Sequence, residues 1–332
     1  MSVAENGLAI SAETPRLDDV SVLGPHGFVR VAYADWGPID AERTVVCVHG
    51  MSRNSRDFDM LAQRFAESGV RVVAPDLPGR GRSDWLEHSE DYATPLYLSA
   101  MSALIARLGV REVDWVGSSL GGHIGMELAA LPGTPIRRLV LNDFGARVAA
   151  AALHRIAQYL RVERSFASIA EMEAYLREIH AHFGALSDAQ WRHLAEHSAV
   201  ATGDGRYRQH YDPAIARAFA WPLMLDITLW HVWDKVECPV LVLRGEHSDL
   251  LLPGCVREML RRGRAASQGK VRAVDIPACG HAPSLMAEAT IDLIGEFLEL
   301  GSPAGRRTSP RQTLAPRASA ACRHRAPRRR AE

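Results

Sequence analysis

Short apolar runs alternate with longer segments of helical periodicity along most of this 332-residue chain. The runs fall at 27–36, 44–48, 70–74, 113–116, 138–141, 240–243 and 271–276; those at 44–48 and 240–243 carry no charged residue, as strands buried on both faces require. Between most of them, segments 58–68, 95–108, 120–131, 254–262 and 283–300 repeat apolar residues at the spacing of one helix face. This alternation predicts an α/β fold, a mostly parallel sheet covered by helices on both faces.

The alternation breaks once, between residues 146 and 234, where helical periodicity continues with little strand character. That stretch is expected to be a helical lid inserted into the core. The chain therefore divides into an N-terminal extension (1–19), a core (20–145 and 235–300), the lid (146–234) and a tail (301–332). The lid segment is rich in aromatics and histidines, among them Tyr159, His180, His182, Phe183, Trp191 and Trp221. Most of these are expected to form its own core.

With 47% apolar and 23% charged residues, the chain can bury a sizeable core. The formal charge of zero conceals a tail with nine arginines against one glutamate, +8, which leaves −8 for the rest. The tail has almost no large apolar residue and is expected to be disordered; it lacks aromatics to stack on bases, so no specific nucleic-acid role is expected of it. Five scattered cysteines show no metal-ligand spacing, and no apolar window reaches the length of a membrane span or signal peptide. A cytoplasmic protein without a disulfide framework is expected.

The sharpest chemical signal is Gly117-Ser118-Ser119-Leu120-Gly121-Gly122, set between an apolar strand and a helical segment. This G-x-S-x-G pattern turns a strand sharply into a helix and holds the serine exposed at the turn, which requires small neighbours. Ser119 is the candidate nucleophile, and the Leu120 N–H, at the helix start, a candidate oxyanion donor. A second strand ends in His49-Gly50-Met51, which offers the Met51 N–H as the other donor, with His49 as a structural residue of that loop.

A serine hydroxyl needs a base, usually a histidine held by a carboxylate. With the chain order Ser, acid, His, the acid after a late strand and the histidine after the last one, Asp249 and His281 are selected. Asp143, directly after run 138–141, and Glu246 are the alternative acids. His193 and His197 lie one helical turn apart without an evident third ligand and read as solvated surface residues. The Gly-rich Pro78–Ser83 stretch lacks the Lys-Ser/Thr ending of a phosphate loop and reads as a turn beside the site.

Together with Pro75-Asp76-Leu77-Pro78-Gly79-Arg80-Gly81-Arg82-Ser83 and Gly280-His281-Ala282-Pro283, these motifs resemble the α/β-hydrolase superfamily over about residues 20 to 300. Within it, the chain is similar to lidded bacterial carboxylesterases, some of them associated with hydrolysis of polyesters such as polylactide and polyhydroxyalkanoate-type esters. The resemblance implies ester hydrolysis through an acyl-serine, acting on a small or polymeric ester and requiring no metal or organic cofactor. Met51-Ser52-Arg53 replaces the glycine run of many lipases and the Gly-Pro-Gly of many carbon–carbon bond hydrolases, which leaves the acyl specificity open. The same triad also supports carbon–carbon bond hydrolysis of ring-cleavage products and cofactor-free perhydrolysis, and a non-catalytic binding protein is the reading from another class.

Overall fold

The computed structural model describes residues 14–218 and 226–300. The predicted basic tail lies outside the described residues, as does Trp221. An eight-stranded sheet forms the centre: β1 (Arg16–Gly24), β2 (Gly27–Trp36), β3 (Thr44–Val48), β4 (Arg71–Pro75), β5 (Val113–Ser118), β6 (Ile136–Asn142), β7 (Val240–Gly245) and β8 (Val271–Ile276). Their spatial order is β1-β2-β4-β3-β5-β6-β7-β8. The sheet is antiparallel at β1–β2–β4 and parallel from β4 to β8. The predicted α/β architecture is therefore present. Its N-terminal boundary moves: β1 begins at Arg16, inside the stretch expected to be an extension.

Alternate residues of β3 enter separate cores. Val46 and Val48 join a cluster that includes Leu104 of α2 (Thr94–Leu108) and Ile124 of α3 (Leu120–Ala129). Val45 and Cys47 join the other, with Leu61 of α1 (Asp59–Ala66) and, from the last long helix, Glu288–Leu298, Ile294. Period-two alternation into two dry layers is what a sheet covered on both faces demands.

The insertion between β6 and β7 straddles the sheet's edge. Its helix α4 (Ala150–Leu160) sends Leu153 and Ile156 into the first cluster, whereas α5 (Ile169–Ile179) and α6 (Asp188–Ser198) send Met172, Leu176, Trp191 and Leu194 into the second. It also holds a three-stranded sheet (Ser165–Phe166, Ala199–Ala201, Tyr207–Gln209) that the helical reading did not anticipate. No described helix is long and apolar enough to cross a membrane.

The parallel strands present their carboxyl ends along one edge. Between β3 and β5 the order of travel across the sheet reverses, which opens a crevice at that edge where ligands of such sheets bind. The loops after β3, β5, β6 and β8 meet there.

Candidate active site

The turn after β5 is built on close backbone approach. A Cβ on Gly121 would stand 1.9 Å from the Val48 carbonyl oxygen, and one on Gly117 2.2 Å from that of Gly121, so neither position admits a side chain. Ser119 between them has φ 50° and ψ −111°, a strained conformation for a residue with a side chain. It is held by its own N–H bond to the Asn142 carbonyl, 2.9 Å, and by the His123 N–H donating to its carbonyl, 3.0 Å.

Ser119 Oγ lies 2.9 Å from His281 Nε2, and His281 Nδ1 lies 2.6 Å from Asp143 Oδ2. His281 and Asp143 are both buried, Asp143 completely. Asp143 directly follows β6 with φ 55°, a left-handed conformation that aspartate tolerates better than most residues. Its Oδ1 accepts the Gly245 N–H (2.8 Å) and its Oδ2 accepts the Ser248 hydroxyl (2.5 Å) as well as facing His281. Three hydrogen-bond partners thus fix the carboxylate, and the carboxylate fixes the imidazole so that Nε2 faces the serine as acceptor.

The expected Asp249–His281 pair is not formed. Asp249 lies in an ion pair with Arg155 of α4, at 2.7 and 2.8 Å, and is half-exposed. The reason is the turn that precedes it: the Ser248 hydroxyl accepts the Leu250 and Leu251 N–H groups and donates to Asp143. The turn thereby commits Ser248 to the buried carboxylate, and Asp249 faces the insertion. Burial raises the Asp249 pKa, but the Arg155 bonds outweigh it and hold the carboxyl below its usual range. Glu246 accepts the Ala278 N–H at 3.0 Å and does not meet His281.

Gly50 brings the loop after β3 to Ser119, a Cβ there falling 3.6 Å from the Ser119 Cβ. Among the described residues neither the Met51 nor the Leu120 N–H has a protein partner, and Ser119 offers no side-chain cap to α3. His49 is buried, its Nδ1–H donating to the Gly50 carbonyl (2.7 Å) and its Nε2 accepting the Leu77 N–H (3.0 Å); burial pushes its pKa down to about 3. It is a neutral strut, as expected. Arg80, from the Pro78–Ser83 turn, is wholly buried; it donates to the Met51 carbonyl (2.8 Å), the Pro78 carbonyl (2.7 Å) and the Tyr97 hydroxyl (2.8 Å). That turn anchors the residue whose N–H is the candidate donor, a role the sequence pattern did not reveal.

Ser119 faces two cavities. One is lined by His281, Arg53, Arg155, His180 and Tyr159; the other by Leu120, Phe144, Leu153, Ile227 and Leu250. Ser119, Met51 and Ile156 belong to both. The insertion is tied to the core around the first cavity: the Gly280 N–H donates to the His182 carbonyl (2.8 Å) and Asn54 Nδ2 to the His197 carbonyl (2.8 Å).

His193 and His197 are not solvated surface residues. His193 is buried against the Arg56 carbonyl (3.1 Å) and Asp59 (3.3 Å), and His197 is half-buried. Folding brings Asp59 up as a third potential metal ligand. The Arg56 guanidinium, however, already spans both Asp59 oxygens, so a cation there would meet a competing positive charge.

The sequence pattern of the Alpha/beta hydrolase family matches residues 45–293. The chain is 43% identical over 292 residues, 86% of its length and 98% of the relative's, to the 3-hydroxybutyrate-oligomer hydrolase of Cupriavidus necator. A bifunctional esterase/perhydrolase of Acinetobacter calcoaceticus is 36% identical over 116 residues, 34% of this chain and 40% of that one. Among solved structures, an alpha/beta hydrolase from Novosphingobium aromaticivorans superposes with a TM-score of 0.75 at 33% identity, covering 87% of this chain and all of the other.

Proposed function

Because the chain belongs to the alpha/beta hydrolase family, we propose that it hydrolyses carboxylic esters through an acyl-serine, with short hydroxyacid oligoesters as its substrate class. The observation that carries this reading is the continuous relay of Ser119 Oγ, His281 and Asp143 at 2.9 and 2.6 Å. Identity to an oligoester hydrolase across nearly all of both chains supports the substrate class.

In the first half-reaction Ser119 Oγ attacks the ester carbonyl while its proton passes to His281 Nε2. Asp143 keeps Nδ1–H directed at itself and stabilises the imidazolium that forms. Negative charge on the former carbonyl oxygen meets the Met51 and Leu120 N–H groups, the latter at the positive end of α3. The C–O bond then breaks, and His281 gives its proton to the departing alkoxide. Water repeats the sequence on the acyl-serine, with His281 again as base, and frees the acid. Residues 146–234 act as the lid, α4 forming one wall of the cleft.

Hydrolysis of p-nitrophenyl esters from acetate to palmitate tests the reading. Short esters are expected to be cleaved, and Ser119→Ala to lose at least about 10⁴-fold in kcat; an inactive wild type, or an active alanine variant, sinks it. Resemblance to the esterase/perhydrolase supports a second reaction of the same intermediate, in which hydrogen peroxide replaces water and releases a peracid. Peracid formation from acetate and hydrogen peroxide is the measurement that decides it.

A further inference from the structure

Five buried side-chain polar atoms of the described residues have no hydrogen-bond partner, and three of them, Arg53 Nη1, His180 Nε2 and Asn142 Oδ1, belong to residues lining the cavity on the His281 side. An unmade hydrogen bond at a buried polar group is costly, so each of these atoms calls for a partner. Arg53 is 7% exposed at its side chain. Its Nε and Nη2 are committed to Asp57 at 2.8 and 2.6 Å, which leaves Nη1 alone. His180 is 4% exposed. Arg155, paired through Nε and Nη2 with Asp249, adds a second guanidinium to the same wall.

The direction of the reaction says which half of an ester lies there. The departing alkoxide takes its proton from His281 Nε2, so the alcohol half must lie on the His281 side of Ser119. His281 lines only the cavity that holds Arg53 and His180; the opposite cavity is apolar. From this the geometry points to a carboxylate subsite for the leaving group: Arg53 Nη1 and His180 Nε2 bind the free carboxylate of a hydroxyacid oligoester, while its acyl chain occupies the apolar cavity.

This rests on the ester-hydrolase reading and sharpens it. The bond cut is the ester next to the free-acid end, and each turnover breaks one C–O bond, moves one proton from His281 to the hydroxyacid oxygen and releases one hydroxyacid. Asp57 also lines the cavity, but Arg53 engages both of its oxygens. Burial, with the nearby Arg53 charge, keeps His180 well below the ordinary imidazole range, and burial with Arg155 lowers His182 to about 4. Both are therefore neutral at pH 7, and His180 is free to present Nε2–H to an anion.

The decisive comparison is the linear dimer of 3-hydroxybutyrate as free acid against its methyl ester, with p-nitrophenyl butyrate as a substrate that carries no carboxylate. Wild type is expected to favour the acid by roughly ten-fold or more in kcat/KM, mainly through KM, the scale of one charge-assisted hydrogen bond. Arg53→Met should bring that ratio close to one, and His180→Phe should reduce it. Free 3-hydroxybutyrate should compete with p-nitrophenyl butyrate where methyl 3-hydroxybutyrate does not, a measurement that needs no variant. Equal kcat/KM for acid and methyl ester in wild type, or a ratio that survives Arg53→Met, overturns the subsite while the esterase reading stands. If no ester of any kind is turned over, both fall together.

Discussion

Asp143 holds a left-handed backbone, a buried carboxylate and three hydrogen-bond partners, whereas Asp249, nearer to the position expected of the acid, faces an arginine at the surface of the insertion. The two aspartates should therefore respond very differently to loss of charge. Asp143→Asn is expected to lower kcat by about 10³- to 10⁴-fold, because an amide cannot stabilise the imidazolium and favours the wrong tautomer. Asp249→Asn should stay within about ten-fold of wild type, since it removes only an exposed ion pair. Steady-state kinetics on p-nitrophenyl butyrate separates them; the reverse order of losses would return the acid role to Asp249. Sequence order could not make this choice. Both residues follow late strands, and what distinguishes them is the Ser248 turn, a contact between segments more than 100 residues apart. The informative local signal was a charged residue directly after an all-buried strand end, Asn142-Asp143.

At the scale of the element, the strand–turn–helix around Ser119 was legible because each feature has one physical cause. Gly117 and Gly121 lie where a Cβ would collide with backbone, and the pattern around them is short and local. Gly121→Ala is accordingly expected to destabilise by roughly 1–3 kcal/mol, the cost of overpacking a rigid site, or to displace β3 from the turn. Thermal melting with a parallel activity assay checks this, and an unchanged Tm with full activity would refute the close packing. Strands buried on both faces announced themselves as apolar runs. Strand β1 did not, because Arg16–Gly24 pairs on one side only and is mostly exposed. The small sheet of the insertion stayed hidden because strands of two or three residues are too short to show a period.

For the whole molecule, the buried histidines set the response to acid. Burial lowers His49 to about 3 and His182 and His197 to about 4, and it depresses His180 and His210 as well. In the unfolded chain these imidazoles titrate near their ordinary value of about 6.5. Above that pH they are neutral in both states and contribute nothing. As the pH falls from 6.5 toward 4, unfolding takes up protons that the folded state refuses, so stability falls, by about 1.4 kcal/mol per pH unit for a fully buried ring such as His49. His193 acts in the opposite sense: burial lowers its pKa, but the Asp59 bond and charge outweigh that, so its contribution is present below pH 6.5 and is lost as the pH rises through its raised value. The depressed rings outnumber it, and Tm is expected to drop between pH 7 and pH 5. A Tm that holds or rises over that interval would contradict the burial of these rings.

Helix α4 stands as a shared wall between the two cavities: Ile156 lines both, Leu153 only the apolar one, and Arg155 and Tyr159 only the one on the His281 side. A rigid partition cannot shift toward one room without enlarging the other. Tolerance for bulk in the acid and tolerance for bulk in the alcohol should therefore vary inversely across any set of α4 variants. Selection acting on one half of the substrate would drag the other with it, and an enzyme broad in both would have to arise outside this helix.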